Sequence, residues 1–333
     1  MSSINFFMRF DINSKRSYEN PASIGGISCL YVDLEKNLWS GYIGLGLYKA
    51  NTRGNPFKYT GNKLGNPERL IFSGVRGMVQ DIDSILWAAS YGGLNKIDLK
   101  TGISSSYLKD NNDPHSISSP YICSVYYNPT MDRSTIWLGF EGGGLDRFNI
   151  NTGMKRNFVN SSNDQLNRIF SILAKEDRQF WLATDYGLAQ LDIDDGEIIP
   201  VGSFSPLWTM IVTRDEKHLW LGTKDNGLYW FDPVSGDTKH YKNDPKDPSS
   251  LGANEVRSIL EDSKGQIWVG TFGGGLNKFN PKTDGFQIFK KKDGISSDVV
   301  HGILEDDQGN IWASSDFGLS RLNPETNKIK IYD

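Results

Sequence analysis

Cysteine is nearly absent from this chain, with only Cys29 and Cys123 among 333 residues. Two thiols cannot make a disulfide framework, and unpaired cysteine is among the most buried residue types, so both are expected as buried free thiols. Histidine is sparse too. His115, His218, His240 and His301 have no ligand-like spacing, so neither a metal nor another cofactor is expected. No apolar run approaches the roughly 18–20 residues that cross a bilayer. Ser2 to Asn13 lack the apolar core of a secretory signal; the same chain would also suit an ectodomain freed of its leader and anchor. A net charge of −4 gives no general field for a phosphate backbone, which disfavours nucleic acid as a partner.

What the chain has in quantity is glycine, 35 residues, and aromatics, at 12%. Both fall into a repeat. Tryptophan recurs as Trp39, Trp87, Trp137, Trp181, Trp220, Trp268 and Trp312, at steps of 48, 50, 44, 39, 48 and 44 residues. Two positions after each comes a small residue: Gly41, Ala89, Gly139, Ala183, Gly222, Gly270 or Ser314. A Gly-Leu pair follows, beginning at Gly46, Gly93, Gly144, Gly187, Gly227, Gly275 or Gly318, and four residues past each leucine stands Asn or Asp.

Each repeat reads as four short strands separated by turn residues, which is an all-β pattern. The tryptophan strand is apolar on both pleat faces, as Ile267-Trp268-Val269 illustrates, and a strand covered on both faces lies in a sheet sandwiched between two others. Four-stranded sheets repeating every 40–50 residues or so are propeller blades. The expected fold is therefore a seven-bladed β-propeller of four-stranded antiparallel blades. Its blades are placed at about 26–60, 74–108, 121–159, 167–201, 208–242, 254–290 and 298–333. Residues 5–11 resemble an outer strand and are expected to complete the seventh blade and clasp the ring. The small residue after each tryptophan is expected to make room for a neighbouring blade.

The run Val256 to Thr271 followed by Gly274-Gly275-Leu276 resembles the two-component regulator propeller repeat, as does Asp293 to Trp312. Repeats four and five depart from its Glu-Asp-x-x-Gly turn, with Ala174-Lys175-Glu176-Asp177-Arg178 and Thr213-Arg214-Asp215-Glu216-Lys217. The resemblance implies a periplasmic sensor ectodomain that works with a membrane histidine kinase, often in response to oligosaccharides. The kinase module is absent from this chain.

Ligands usually meet a propeller at one end of its channel, where the first strands begin and the loops between second and third strands gather. One position per repeat varies far more than its neighbours: Ser28, Arg76, Cys123, Phe170, Thr209, Arg257 and His301. Arg76, Arg257 and His301 could hydrogen-bond a sugar or a carboxylate. Tyr91, Glu141, Tyr186, Asp225, Phe272 and Phe317 come from the loops, and Trp208 is a tryptophan outside the repeat register. Aromatic faces beside carboxylates suit a pyranose ring. These ten residues make the candidate ligand-binding mouth of a non-enzymatic module. Its partner is an oligosaccharide or other small ligand, with a second copy of the chain as a further partner. A protein-binding scaffold, and a metal-dependent lyase or hydrolase, are the competing expectations.

Overall fold

The computed structural model describes residues 7–11, 16–20, 27–34, 37–42, 46–51, 58–60, 74–176 and 178–332. Seven sheets have four antiparallel strands each, over 27–60, 75–107, 122–158, 169–200, 207–241, 256–289 and 302–332. Within every one, strands that follow each other in the chain are neighbours in the sheet. The first strand of each sheet touches the first strand of the next, and Gly302–Glu305 of the last touches Ile27–Val32 of the first. The first strands thus ring a central axis, and the molecule is an all-β propeller.

The core is divided among the sheet-to-sheet interfaces, and the repeated tryptophan sits in each. Trp87 packs on Ile122, Ile136 and Leu138 of the following sheet, Trp137 on Ile169 and Phe180, and Trp268 on Val300 and Ile311. Trp312 packs on Ile27 and Leu38, which joins the last sheet to the first. The small residue two positions on makes room for that neighbour. A Cβ on Gly41 would lie 3.0 Å from the Val75 side chain, and one on Gly270 would lie 2.7 Å from Val300. Gly-Leu has a different cause: Gly144, Gly227 and Gly275 have φ of +76, +85 and +75, a region that a side chain disfavours. The Asn or Asp that follows caps the next turn. Asp232 accepts the amides of Val234 and Ser235, and Asn323 those of Glu325 and Thr326.

The Glu-Asp turn couples sheets as well as closing them. Asp33, Asp81, Asp262 and Asp306 are buried and accept the indole N–H of Trp39, Trp87, Trp268 and Trp312 at 2.8–2.9 Å. The glutamate just before the aspartate reaches to the preceding sheet: Glu305 accepts the Ser263 amide at 2.6 Å, and Glu261 the Arg214 amide at 2.8 Å. Six residues before Trp137, Trp181 and Trp220 stand Met131, Lys175 and Arg214 instead. In the fourth sheet Lys175 lies over the Trp181 ring at 4.7 Å.

Two expectations need correction. The N-terminal strand does not clasp the seventh sheet. Phe7–Asp11 pairs with Arg16–Asn20 in a separate two-stranded sheet, and the fourth strand of the seventh sheet is Ile329–Tyr332; residues 5 and 6 lie outside the described residues. Pairing with the next strand in the chain is the shorter closure, because adjacent strands pair with less loop to order. The cysteines are free but only partly buried. Cys29 stands beside Gly41, and the Cys123 sulfur lies 4.0 Å from the Tyr91 hydroxyl.

Candidate ligand site at the channel mouth

A bulge at the start of six of the seven first strands builds the inner ring of the mouth. The pairing register skips one residue between Ile27 and Cys29, Val75 and Gly77, Ile122 and Ser124, Ile169 and Ser171, Leu207 and Thr209, and Val256 and Ser258. An extra residue in one strand is left out of the ladder and its side chain is re-aimed. The residues so released are Ser28, Arg76, Cys123, Phe170, Trp208 and Arg257. His301 takes the equivalent place in the last sheet, after buried Val300. In the fifth sheet the position belongs to Trp208 and not to Thr209, so the tryptophan outside the repeat register is in register with the bulges. The Ser28 hydroxyl lies within reach of the Gly41 and Val75 carbonyls, which share its one hydrogen.

Among the described residues, a second ring comes from the residue that follows the second strand at the mouth. Tyr91, Glu141 and Phe272 bridge to Tyr121, Arg168 and Val299, and the Asp185 and Lys224 amides donate to the Arg168 and Pro206 carbonyls. The two rings interlock. The Arg76 guanidinium lies 4.5 Å over Tyr91, whose hydroxyl donates to Glu141. Burial, and then that bond to a carboxylate, push the Tyr91 hydroxyl well above its usual range, so it stays a neutral donor. The Lys224 ammonium sits between two rings, 3.9 Å from Phe170 and 4.0 Å from Trp208. It is also paired with Asp185, which lies 3.4 Å from Arg168. Arg257 lies 4.6 Å over Trp208 and 5.4 Å from Phe272, and pairs with Glu255. His301 Nε2 meets Asp316 at 2.7 Å.

Of the ten residues named from sequence, the structure groups Arg76, Tyr91 and Glu141 in one cluster and Trp208, Arg257 and Phe272 in another. His301 stands with Asp316. Tyr186, Asp225 and Phe317 are exposed one position further along their loops, and the second-ring places belong to Asp185, Lys224 and Asp316. Sequence reading named neither Phe170 nor Lys224 as a site residue. Counting from the buried Thr or Ser that ends the second strand would have found Lys224, since Tyr91, Asp185, Phe272 and Asp316 all follow such a residue directly.

Among the described residues, exposed aromatic side chains gather on this face. Among the described residues the exposed large hydrophobics include four aromatics, Tyr121, Tyr186, Phe272 and Phe317, and all four rim the mouth. Burial raises the Cys123 thiol to about 12, which favours the protonated form at neutral pH. Among the described residues, no three His, Cys, Asp or Glu side chains gather as a metal set.

Residues 250–273 and 294–317 match the family model described as two component regulator propeller. These are two-component regulator propeller repeats. Over 309 residues the chain is 24% identical to Histidine kinase P4 of Formosa agariphila, covering 87% of this chain and 21% of that protein. The propeller thus spans about a fifth of the curated relative. Among solved structures it is similar to the extracellular domain of a hybrid two component system from B. thetaiotaomicron, with a TM-score of 0.75 and 18% identity over 89% of this chain and 40% of that one. A second B. thetaiotaomicron extracellular domain, of a one component system, gives a TM-score of 0.56 with 20% identity, covering 92% of this chain and 46% of that one. At such identities the structures speak for the fold. Among the described residues no helix is long and apolar enough to cross a membrane.

Proposed function

We propose that this two-component regulator propeller is the ligand-sensing part of an extracellular or periplasmic receptor, and that its ligand is an oligosaccharide bound across the channel mouth without turnover. We read the ring as seven-bladed, a reading supported by the seven four-stranded sheets and by the packing of the last on the first. A histidine kinase module elsewhere in the full protein would receive the signal, in line with the relative's name.

The observation that carries the reading is that, among the described residues, the exposed aromatics gather on one face. Aromatic rings left in water cost solvation without adding to the core, and a sugar's C–H face is a fitting cover for them. The inner aromatics play another part. Lys224 and Arg257 already cover Trp208, so the stacking surfaces for a pyranose are Tyr186, Phe272 and Phe317 at the rim, while carboxylates and cations between them meet hydroxyls.

Calorimetry against a panel of plant, algal and host oligosaccharides tests this, with Tyr186→Ala and Phe272→Ala beside Val234→Ala, a substitution in a turn of the fifth sheet away from the mouth. At least one glycan should bind saturably, and each aromatic deletion should weaken it about tenfold, or about 1.4 kcal/mol. Silence across the panel, or binding that ignores both aromatic deletions, would refute the proposal.

A further inference from the structure

Two hydrogen-bond donors in the mouth have no acceptor. Trp208 Nε1 and Arg257 Nε are both shut off from solvent and unpartnered, and the Arg257 guanidinium lies 4.6 Å over the Trp208 ring. Buried polar groups in folded proteins are nearly always paired, and an orphan is costly, so two beside each other call for a cause. Indole and guanidinium nitrogens only donate. An oxygen that accepts from both must have lone pairs to give, and a hydroxyl there would still have to place its own hydrogen. The nearby carboxylates are already engaged, Asp185 by Lys224 and Arg168, and Glu255 by Arg257.

Resting on the glycan-sensing reading above, we propose that Trp208 and Arg257 select a saccharide bearing an anionic substituent, a carboxylate or a sulfate ester, one oxygen of which accepts from Trp208 Nε1 and Arg257 Nε. The surroundings favour that charge. Arg168 and Lys224 share the one carboxylate of Asp185, Arg257 pairs with Glu255, and Glu141, bridged to Arg168 through the backbone, is engaged by the Tyr91 hydroxyl. Access is gained when Arg257 swings off the indole ring. That movement breaks its pair with Glu255, in which both side chains are about a quarter exposed, at 25% and 28%; pairs as accessible as this hold weakly. The incoming anion then takes over the guanidinium as its own partner.

The experiment follows the indole N–H resonances of the intact chain, which has nine tryptophans, in 15N–1H correlation spectra. The Trp208 resonance is assigned by its loss in Trp208→Phe, and the other indole resonances report whether that variant stays folded. The probes are sodium glucuronate, sodium sulfate and glucose, at matched ionic strength with sodium chloride. The Trp208 resonance should move saturably at millimolar glucuronate or sulfate and stay put with glucose; which anion acts tells a uronate from a sulfate ester. Arg257→Lys, which keeps the charge and loses Nε, should weaken the response several-fold. A Trp208 resonance that ignores both anions, that follows glucose equally, or that responds unchanged in Arg257→Lys overturns the proposal. Calorimetric glycan binding with a silent Trp208 would leave the sensing reading intact and sink only this one.

Discussion

The aspartate–tryptophan bond can be measured in isolation at the sixth sheet. Asp262 is 4% exposed and Trp268 is fully buried. The carboxylate accepts the indole N–H and the amides of Lys264 and Gln266, each at 2.9 Å. Asp262→Ala orphans the indole donor, at about 1–3 kcal/mol, while the two turn amides can turn to water for roughly 1 kcal/mol each. The total comes to about 3–5 kcal/mol. Trp268→Phe removes the donor and part of the ring and should cost on the order of 2 kcal/mol, mostly as a cavity against Ile311 and Val300. If the hydrogen bond matters as the geometry says, the double variant has no orphan left. It should then be less destabilised than the sum of the singles by about 1–3 kcal/mol. Urea unfolding followed by far-ultraviolet circular dichroism gives the cycle, provided the denaturant slope is the same in all four proteins. Additivity to within about 0.5 kcal/mol would refute the reasoning, since contacting but uncoupled groups behave that way.

The small residue after the tryptophan gives a matched pair. Gly270→Ala would set a methyl 2.5 Å from Ser258 Oγ and 2.7 Å from Val300, and should cost about 1–3 kcal/mol in urea unfolding as an overpacked interface. Gly273→Ala meets nothing within 4 Å and should cost only about 1 kcal/mol, for a side chain at φ +91. The thiols set an alkaline limit. Burial raises Cys29 and Cys123 from the ordinary 9.0 to about 12, so the fold keeps protons that the unfolded chain loses first. Their contribution is intact below pH 9.0, declines above it and is gone once pH passes about 12. Replacing both with serine should flatten the fall of the urea midpoint over that window. In the native protein at neutral pH, both thiols should react with a disulfide reagent far more slowly than in urea, as a colorimetric time course will register.

The frame of this molecule was legible because it repeats. Trp268, Gly270 and Gly275 each solve one local problem, an interface, a close approach or a positive φ, and every sheet has that problem. The site was legible only to within one residue. In the fifth sheet the turn between the paired Val212 and Leu219 is one residue longer than that between Glu261 and Ile267, which moves the inner position from Thr209 to Trp208, and a register shift of one residue carries a side chain from one face to the other. Spacing counted from the turn erred there because it took that turn to have the usual length. The same one-residue offset put Asp225 in the place of Lys224. Long-range contacts were out of reach altogether: the Lys224 ammonium between Phe170 and Trp208 joins residues from two sheets.

How the ring is held shut decides which end of the chain it needs. Many closed structures could be fastened by a strand taken from the far terminus, and the N-terminal strand looked suited to that. Here the seventh sheet is built wholly from consecutive strands, and the seam to the first sheet is side-chain packing of Trp312, Leu319, Ile27 and Leu38. The outer strand shields that seam, with Tyr332 stacked 5.1 Å from Trp312 and Ile329 packed into the neighbouring interface. Removing residues 1–20 should therefore leave the urea midpoint within experimental error. Removing 328–333 strips a strand from a four-stranded sheet and bares Trp312, and should lower the midpoint sharply and shift tryptophan emission to the red. If instead the N-terminal deletion is the damaging one, the hairpin has a role in closure that its pairing does not reveal, and packing alone does not hold the seam.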